Sequence, residues 1–280
     1  MSIFDTDKTI HIAGVLRCAK NKYNKAFLEK GAIKFGLPQS WINIGKQYGE
    51  GRGDVAEGMF ATFNNMDLER VVEFGRKYNI PNAEVVVDRV GSRIFYRYRE
   101  TINLPTFCLY GIKFDLFDVE PRVGEQRIHG VIPGKYFTAF SDNIDVADEV
   151  VSDDEKTSAI FITDYDLLKE RIVSKLKEIG VSEEEIIAEP IQYYDTKKYE
   201  ENYYYEVTSE RPKELLWKRE EFKEQSEIRI IVNSKNESVM NILRNEVIEI
   251  GELTDIAQLA NANFDNGLHI AMTITICERE

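Results

Sequence analysis

The chain has 280 residues and a formal charge of −13, from 36 Lys plus Arg against 49 Asp plus Glu. That balance excludes a broad phosphate-backbone groove, because nonspecific nucleic-acid affinity rests on clustered cations; a local basic patch around Arg93, Arg97 and Arg99 stays open. With 43% hydrophobic and 11% aromatic residues, the chain carries enough apolar side chains for a sizeable core, which excludes a disordered protein. The three cysteines, Cys18, Cys108 and Cys277, are widely spaced in apolar surroundings and read as buried thiols of a reducing compartment. His11, His129 and His269 have none of the spacings of a zinc site, so no metal is expected. No run approaches the roughly 18 apolar residues of a membrane span, and no apolar signal core opens the chain. A soluble, cytoplasmic protein without a membrane is the expectation.

Taken in order, Ile10–Cys18 reads as a first strand and Lys22–Lys30 as a helix stopped by Gly31. Ile33 and Phe35 alternate as a second strand. Residues 39–58 carry five glycines around Trp41, Asp54 and Glu57, matching neither the Rossmann nor the P-loop pattern. That composition suggests either a functional loop or a surface turn with solvated acids. Met66–Asn79 reads as a helix capped by Asp67, with Leu68, Val71, Val72 and Phe74 as its apolar stripe. Val85–Val90 and Arg93–Tyr98 form two strands, and Phe107–Ile112 has the continuous apolar character of a central strand. Val131–Phe140 and Ser158–Thr163 are further strands, separated by an acidic connector over residues 141–156.

Asp164 caps a helix reaching Ile179, and Ile186–Tyr194 returns to a strand. Glu237–Arg244 reads as a helix, Val247–Leu253 as a strand, Thr254–Ala260 as a helix and Leu268–Ile276 as the last strand. The sum is an α+β fold with mixed, mainly antiparallel sheets and four or five helices. A single domain over residues 1–280 is expected, the connector 141–156 being the best place for a subdivision.

The sharpest chemical anomaly lies in Trp217–Asn233. Its first half is charged and its second half turns abruptly apolar. Strand alternation puts Ile228, Ile230 and Val232 on one face and Glu227, Arg229 and Ile231 on the other. A carboxylate and a guanidinium in a core strand are costly to bury without partners. They either pair, with each other or with a neighbouring strand, or they line a cavity. Tyr193, Tyr194, Tyr199, Tyr203, Tyr204 and Tyr205 cluster among acids and lysines, as an interface or as an edge hairpin with its rings on the surface.

Two sets of residues carry a resemblance. Arg17 on the first strand, the following helix, Glu29–Phe35 and the late Gln225-Ser226-Glu227 before apolar residues resemble bacterial and phage ADP-ribosyltransferase-like proteins. Asp54 and Glu57 in an early loop, Cys108 in a mid-chain strand, then Trp217, Lys218, Glu227 and Arg229, are similar to a related uncharacterised bacterial and phage family. The pieces cover about half the chain. The chain departs from the pattern in having no clear Ser-Thr-Ser element and only a loose Trp217–Lys218 order.

The resemblance implies a transferase of the glycosyltransferase class using NAD as cofactor, in a phage, toxin or defence setting. It casts Glu227 as the catalytic carboxylate that steadies an oxocarbenium-like ribose. It casts Arg17 as the pyrophosphate ligand, and Tyr96, Tyr110 and Arg229 as further cofactor contacts.

Two other readings stay open. One is a non-enzymatic, acidic protein-binding factor, such as an inhibitor or component of an antiphage defence complex. Its charge would favour a basic protein partner, and a homo-oligomer is compatible with it. The other is a Mg²⁺-dependent nuclease using Asp54, Glu57 and Glu227.

Overall fold

The computed structural model describes residues 12–48, 53–80, 82–89, 92–113, 124–132, 152–195, 212–260 and 267–276. Among the described residues, five α-helices and fifteen strands, paired mainly antiparallel, make an α+β fold. None of those helices is long and apolar enough to cross a membrane. The chain divides into two compact units, each assembled from separate stretches. The first holds residues 34–108 and 176–247, the second residues 9–33, 109–175 and 248–280. The chain passes between them after Ile33, Cys108, Lys175 and Val247; residues 141–151 of the connector named as a possible subdivision lie outside the described ones.

In the first unit, β3 (Met59–Asn64), β5 (Arg93–Tyr98) and β4 (Ala83–Asp88) form a sheet in that order, all antiparallel. α3 (Leu68–Tyr78) lies on it, its first turn capped by Asp67, which accepts from the Arg70 N–H at 3.1 Å. Phe63, Phe74 and Tyr96 pack ring against ring, and the Tyr96 hydroxyl donates to the Val71 carbonyl at 2.9 Å. The stripe expected on α3 is only half right. Val71 and Phe74 are buried, whereas Leu68 is 63% exposed and Val72 48%. Adjacent helical residues stand about 100° apart, so Val72 turns away from the face that Val71 presents to the sheet.

The same unit holds β12 (Glu227–Val232), antiparallel to β9 (Ile186–Pro190), and the first residues of β6 (Thr106–Lys113). A short parallel pair, β10 (Gln192–Tyr194) with β11 (Trp217–Arg219), sets Tyr193 opposite Lys218 and Tyr194 opposite Arg219. The expected strand over 186–194 is thus two strands. They part at Ile191, whose N–H donates to the Glu227 carbonyl at 2.8 Å. α5 (Glu237–Asn245) follows β12, with Asn236 accepting from the N–H groups of Ser238 and Val239.

The glycine-rich stretch behaves differently from expectation. Pro38–Tyr48 is a helix, α2, buried along Pro38, Ile42 and Gly45. Gly45 and Gly53 serve close approach: a Cβ on Gly53 would stand 2.0 Å from the Trp41 carbonyl and 2.5 Å from the Gly45 nitrogen. Backbone thereby packs on backbone, and the turn beginning at Asp54 is pressed against α2.

In the second unit the sheet runs β14 (Ala257–Ala260), β8 (Thr157–Ile162), β1 (Ile12–Lys20), with the later part of β6 beyond β1. Residues 257–260 were expected to be helical. They pair instead with β8, Leu259 opposite Ile160, so sheet pairing overrides local helix propensity. α1 (Asn21–Lys30) leaves β1 and ends at Gly31, whose φ of +62° and N–H to the Phe27 carbonyl at 2.9 Å close the helix. β2 (Ala32–Ile33) pairs with β13 (Ile248–Glu249), all that forms of the strand expected over 247–253. β7 (Gly124–Ile132) and β15 (Leu268–Ile276) make a two-stranded ladder. The strand expected at 131–140 thus begins earlier, with 133–140 outside the described residues. α4 (Tyr165–Glu178) starts at Asp164, which accepts from the Leu167 N–H at 2.9 Å, and buries Leu168, Ile172 and Leu176.

Substituting Gly53→Ala tests the close approach. Overpacking of this kind costs about 1–3 kcal/mol, so urea unfolding should place the variant below the parent.

Candidate functional site

Within the first unit, charged residues far apart in sequence meet in one buried cluster. Arg229 projects from the middle of β12 and is fully buried. Its guanidinium grips both oxygens of Glu57, one at 3.1 Å and the other closer. It also donates from Nε to one oxygen of Glu227 at 2.8 Å and from Nη2 to the other at 3.2 Å. A fifth bond goes to the Leu215 carbonyl at 2.5 Å, and the plane lies 5.0 Å above the Trp41 ring. Every donor of the fork is therefore directed at an acceptor.

The second cation is Lys218 of β11. Its ammonium donates to Glu227 at 3.0 Å and to Gln225 Oε1 at 2.6 Å, and stands 5.1 Å from the Phe222 ring centre. The third is Arg219, buried to 1%, which pairs with Asp54 and Glu221. Asp54 also accepts from the Ala56 N–H at 2.8 Å, which folds the turn that carries Glu57. The Tyr193 hydroxyl accepts from the Glu227 N–H at 3.0 Å, so Glu227 is fixed at backbone and side chain alike.

The electrostatics follow from these contacts. Burial by itself would raise the Glu227 carboxyl. Arg229 and Lys218, with hydrogen bonds from Arg229 and the Cys108 thiol, overcome that and hold it far below the usual carboxylate range. Burial pushes Glu57 the other way, above the usual range, with Arg229 opposing. Burial also works to lower Lys218, but Glu227 and Glu57 outweigh it and raise the ammonium. Cys108 is driven well above the usual thiol range by burial and the neighbouring Glu227; a thiol held so is a poor nucleophile.

Asp54, Glu57, Lys218, Glu227 and Arg229 thus converge. Trp217 is buried beside them in sequence on β11, opposite Gln192. Tyr96 sits in the aromatic packing under α3, its hydroxyl committed to Val71. Arg17 and Tyr110 belong to the second unit, where Tyr110 is 7% exposed opposite Leu16. Of the tyrosine cluster, Tyr194 is 3% exposed and Tyr193 partly buried; Tyr199, Tyr203, Tyr204 and Tyr205 lie outside the described residues. The basic alternation on β5 is neutralised locally. Arg93 bonds Asp88 at 2.8 Å, and Arg97 and Arg99 bond Glu84 at 2.6 and 2.9 Å.

Reasoning from the sequence missed Arg219, Gln225, Trp41 as the ring under Arg229, and Glu214, a fully buried carboxylate accepting from the Thr101 hydroxyl at 2.7 Å. For Arg219 a signal existed: strand parity places it on the same side as Trp217. In the second unit Arg17 stands differently. Among the described residues its side chain makes no ion pair; its guanidinium donates to Asn24 Oδ1 and lies 4.8 Å above the Phe27 ring. Burial lowers its pKa to about 10, with only Cys18 acting to raise it.

Compared with known proteins, the chain matches no family model, no curated protein and no solved structure.

Removing Arg229 takes the paired cation from buried Glu57 and leaves Glu227 with Lys218 alone, a loss of about 3–5 kcal/mol. Denaturant unfolding of Arg229→Met should show it. The pH dependence has a defined sign. Because the folded Glu227 pKa lies below its unfolded value, its stabilisation is present above about pH 4.3 and fades as pH falls towards the folded pKa. Thermal midpoints from pH 6 downward should fall more steeply in the parent than in Glu227→Gln.

Proposed function

We propose that this chain binds a phosphate-bearing anionic ligand at Arg17 of its second unit, NAD being the ligand that the ADP-ribosyltransferase resemblance nominates. The observation that carries the reading is the state of Arg17. The buried cations of the first unit, Arg97, Lys218, Arg219 and Arg229, each face a carboxylate. Arg17 faces an amide oxygen and a phenyl ring instead. Among the described residues no carboxylate pairs with it, and a planar fork of N–H donors suits phosphate oxygens.

The transfer step asks more of Glu227. Both its oxygens are already held by Arg229 and Lys218, so a ribose hydroxyl gains access only by replacing one of those bonds. Two adjacent cations also offset the stabilisation that the carboxylate offers a positive ribose centre. Nucleotide binding is accordingly better supported than catalysis by Glu227. The nuclease reading is weaker still, since a divalent ion would have to displace Arg219 from Asp54 and Arg229 from Glu57.

A second reading, the acidic protein-binding factor, has one favourable observation. In the first unit Leu68, Val72, Val85 and Val87 are exposed on α3 and on the sheet-edge strand β4.

Thermal shift and calorimetry with NAD separate these readings. Binding should stabilise the parent, vanish in Arg17→Gln and survive in Glu227→Gln. Nicotinamide release that is present in the parent and lost in Glu227→Gln would add the transferase step. No shift in any variant would overturn nucleotide binding and leave complex formation with a basic protein to be sought.

A further inference from the structure

The Arg17 guanidinium is set by a residue with no charge of its own. Asn24, on the first turns of α1, is 1% exposed. Its amide nitrogen donates to the Ala19 carbonyl at 3.2 Å, the Ser158 carbonyl at 3.0 Å and the Ser158 hydroxyl at 2.8 Å. Those acceptors fix which way the amide faces. Rotating it by half a turn would set its oxygen against two carbonyls and its N–H₂ against the guanidinium, opposing like with like on both sides. The oxygen is thus obliged to point at Arg17, and it accepts from Nη1. Phe27, fully buried, supports the guanidinium face. The nearby cations Lys20 and Lys22 are both spent on Glu155, whereas the Arg17 guanidinium has no ion pair among the described residues.

We infer that Asn24 is the positioning and specificity-determining residue of the Arg17 site: it orients the guanidinium with a neutral acceptor, so that the site takes a phosphate or pyrophosphate group. This rests on the anion-binding reading of Arg17. An aspartate here would orient the fork equally well but would supply the counter-ion itself and repel an incoming anion. A side chain that merely held α1 to β8 would not have that consequence, which gives the inference its own readout.

The test is calorimetric titration of the full chain with inorganic pyrophosphate, comparing the parent with Arg17→Gln, Asn24→Asp and Asn24→Ala. Circular dichroism and thermal unfolding confirm that each variant is folded. The expected result is binding by the parent, none by Arg17→Gln, at least a tenfold loss in Asn24→Asp, and a smaller loss in Asn24→Ala, which loosens Arg17 without cancelling it. Binding by Asn24→Asp within twofold of the parent would overturn the inference. So would equal losses in Asn24→Asp and Asn24→Ala, since the charge would then be irrelevant.

A carboxylate facing two carbonyls strains the fold, so Ser158→Ala is the second variant should Asn24→Asp fail to fold. It removes one anchor of the amide and leaves every charge in place. A threefold or greater loss at an unchanged thermal midpoint supports the inference, and unchanged binding overturns it. Failure of the parent to bind pyrophosphate, or binding that persists in Arg17→Gln, would overturn the anion-site reading itself. Binding that is lost in Arg17→Gln but kept in Asn24→Asp would overturn the role of Asn24 alone.

Discussion

The first unit depends on one guanidinium. Arg229 sits in the centre of β12 without solvent contact and answers two carboxylates at once, Glu57 from the turn after α2 and Glu227 from its own strand. Taking an ion out of water costs several kcal/mol, and only near-ideal geometry with saturated hydrogen bonds recovers it. Here each requirement is met by a different part of the chain. Gly45 and Gly53 let the turn approach α2, Asp54 shapes that turn, Trp41 floors the guanidinium, and Lys218 closes the outer side of Glu227. Asp54, Glu57 and Glu227 pair with Lys218, Arg219 and Arg229, and half-exposed Glu221 adds a fourth carboxylate on Arg219. Around Arg229 every donor is answered, which makes that part of the cluster a clamp with little unused capacity for a substrate.

The second unit uses the opposite arrangement. Arg17 is held by Asn24 and Phe27, with no carboxylate paired to it among the described residues. The physical difference is one of counter-charge, not of burial or of donor geometry. Where a carboxylate meets a guanidinium, the pair is finished; where an amide does, the charge remains to be met from outside. The proposed anion site therefore gives function to the residue with fewer bonds and support of the fold to the residue with more, the reverse of what the density of charged residues suggests.

Much of the cluster was legible in the sequence. Glu227 and Arg229 stand out because charges in a β-branched strand demand partners, and Asp54 and Glu57 because they crowd a glycine-rich stretch. What pattern could not supply was the reason for those glycines. Glycine permits both loose turns and tight contacts, and α2 is invisible until the second reason is seen. Residues 257–260 mislead in a related way: their strand exists only because β8 is there to pair with it. Asn24 carried no signal at all, since its significance comes from Ser158, 134 positions away. Arg219 was hidden inside a charged run that reads as solvated until its 1% exposure is known. Local pattern yields elements and anomalies; which anomaly is satisfied is a property of contacts between distant stretches.

The most direct test of this account watches the arginine side chains themselves. Nitrogen-15 spectra of the guanidinium Nε–H groups, recorded while NAD is added, report each arginine separately. The account predicts that the Arg17 signal moves and saturates with NAD while those of Arg219 and Arg229, already paired, stay in place. A moving Arg229 signal with a stationary Arg17 would contradict it, and would return the functional centre to the cluster around Glu227.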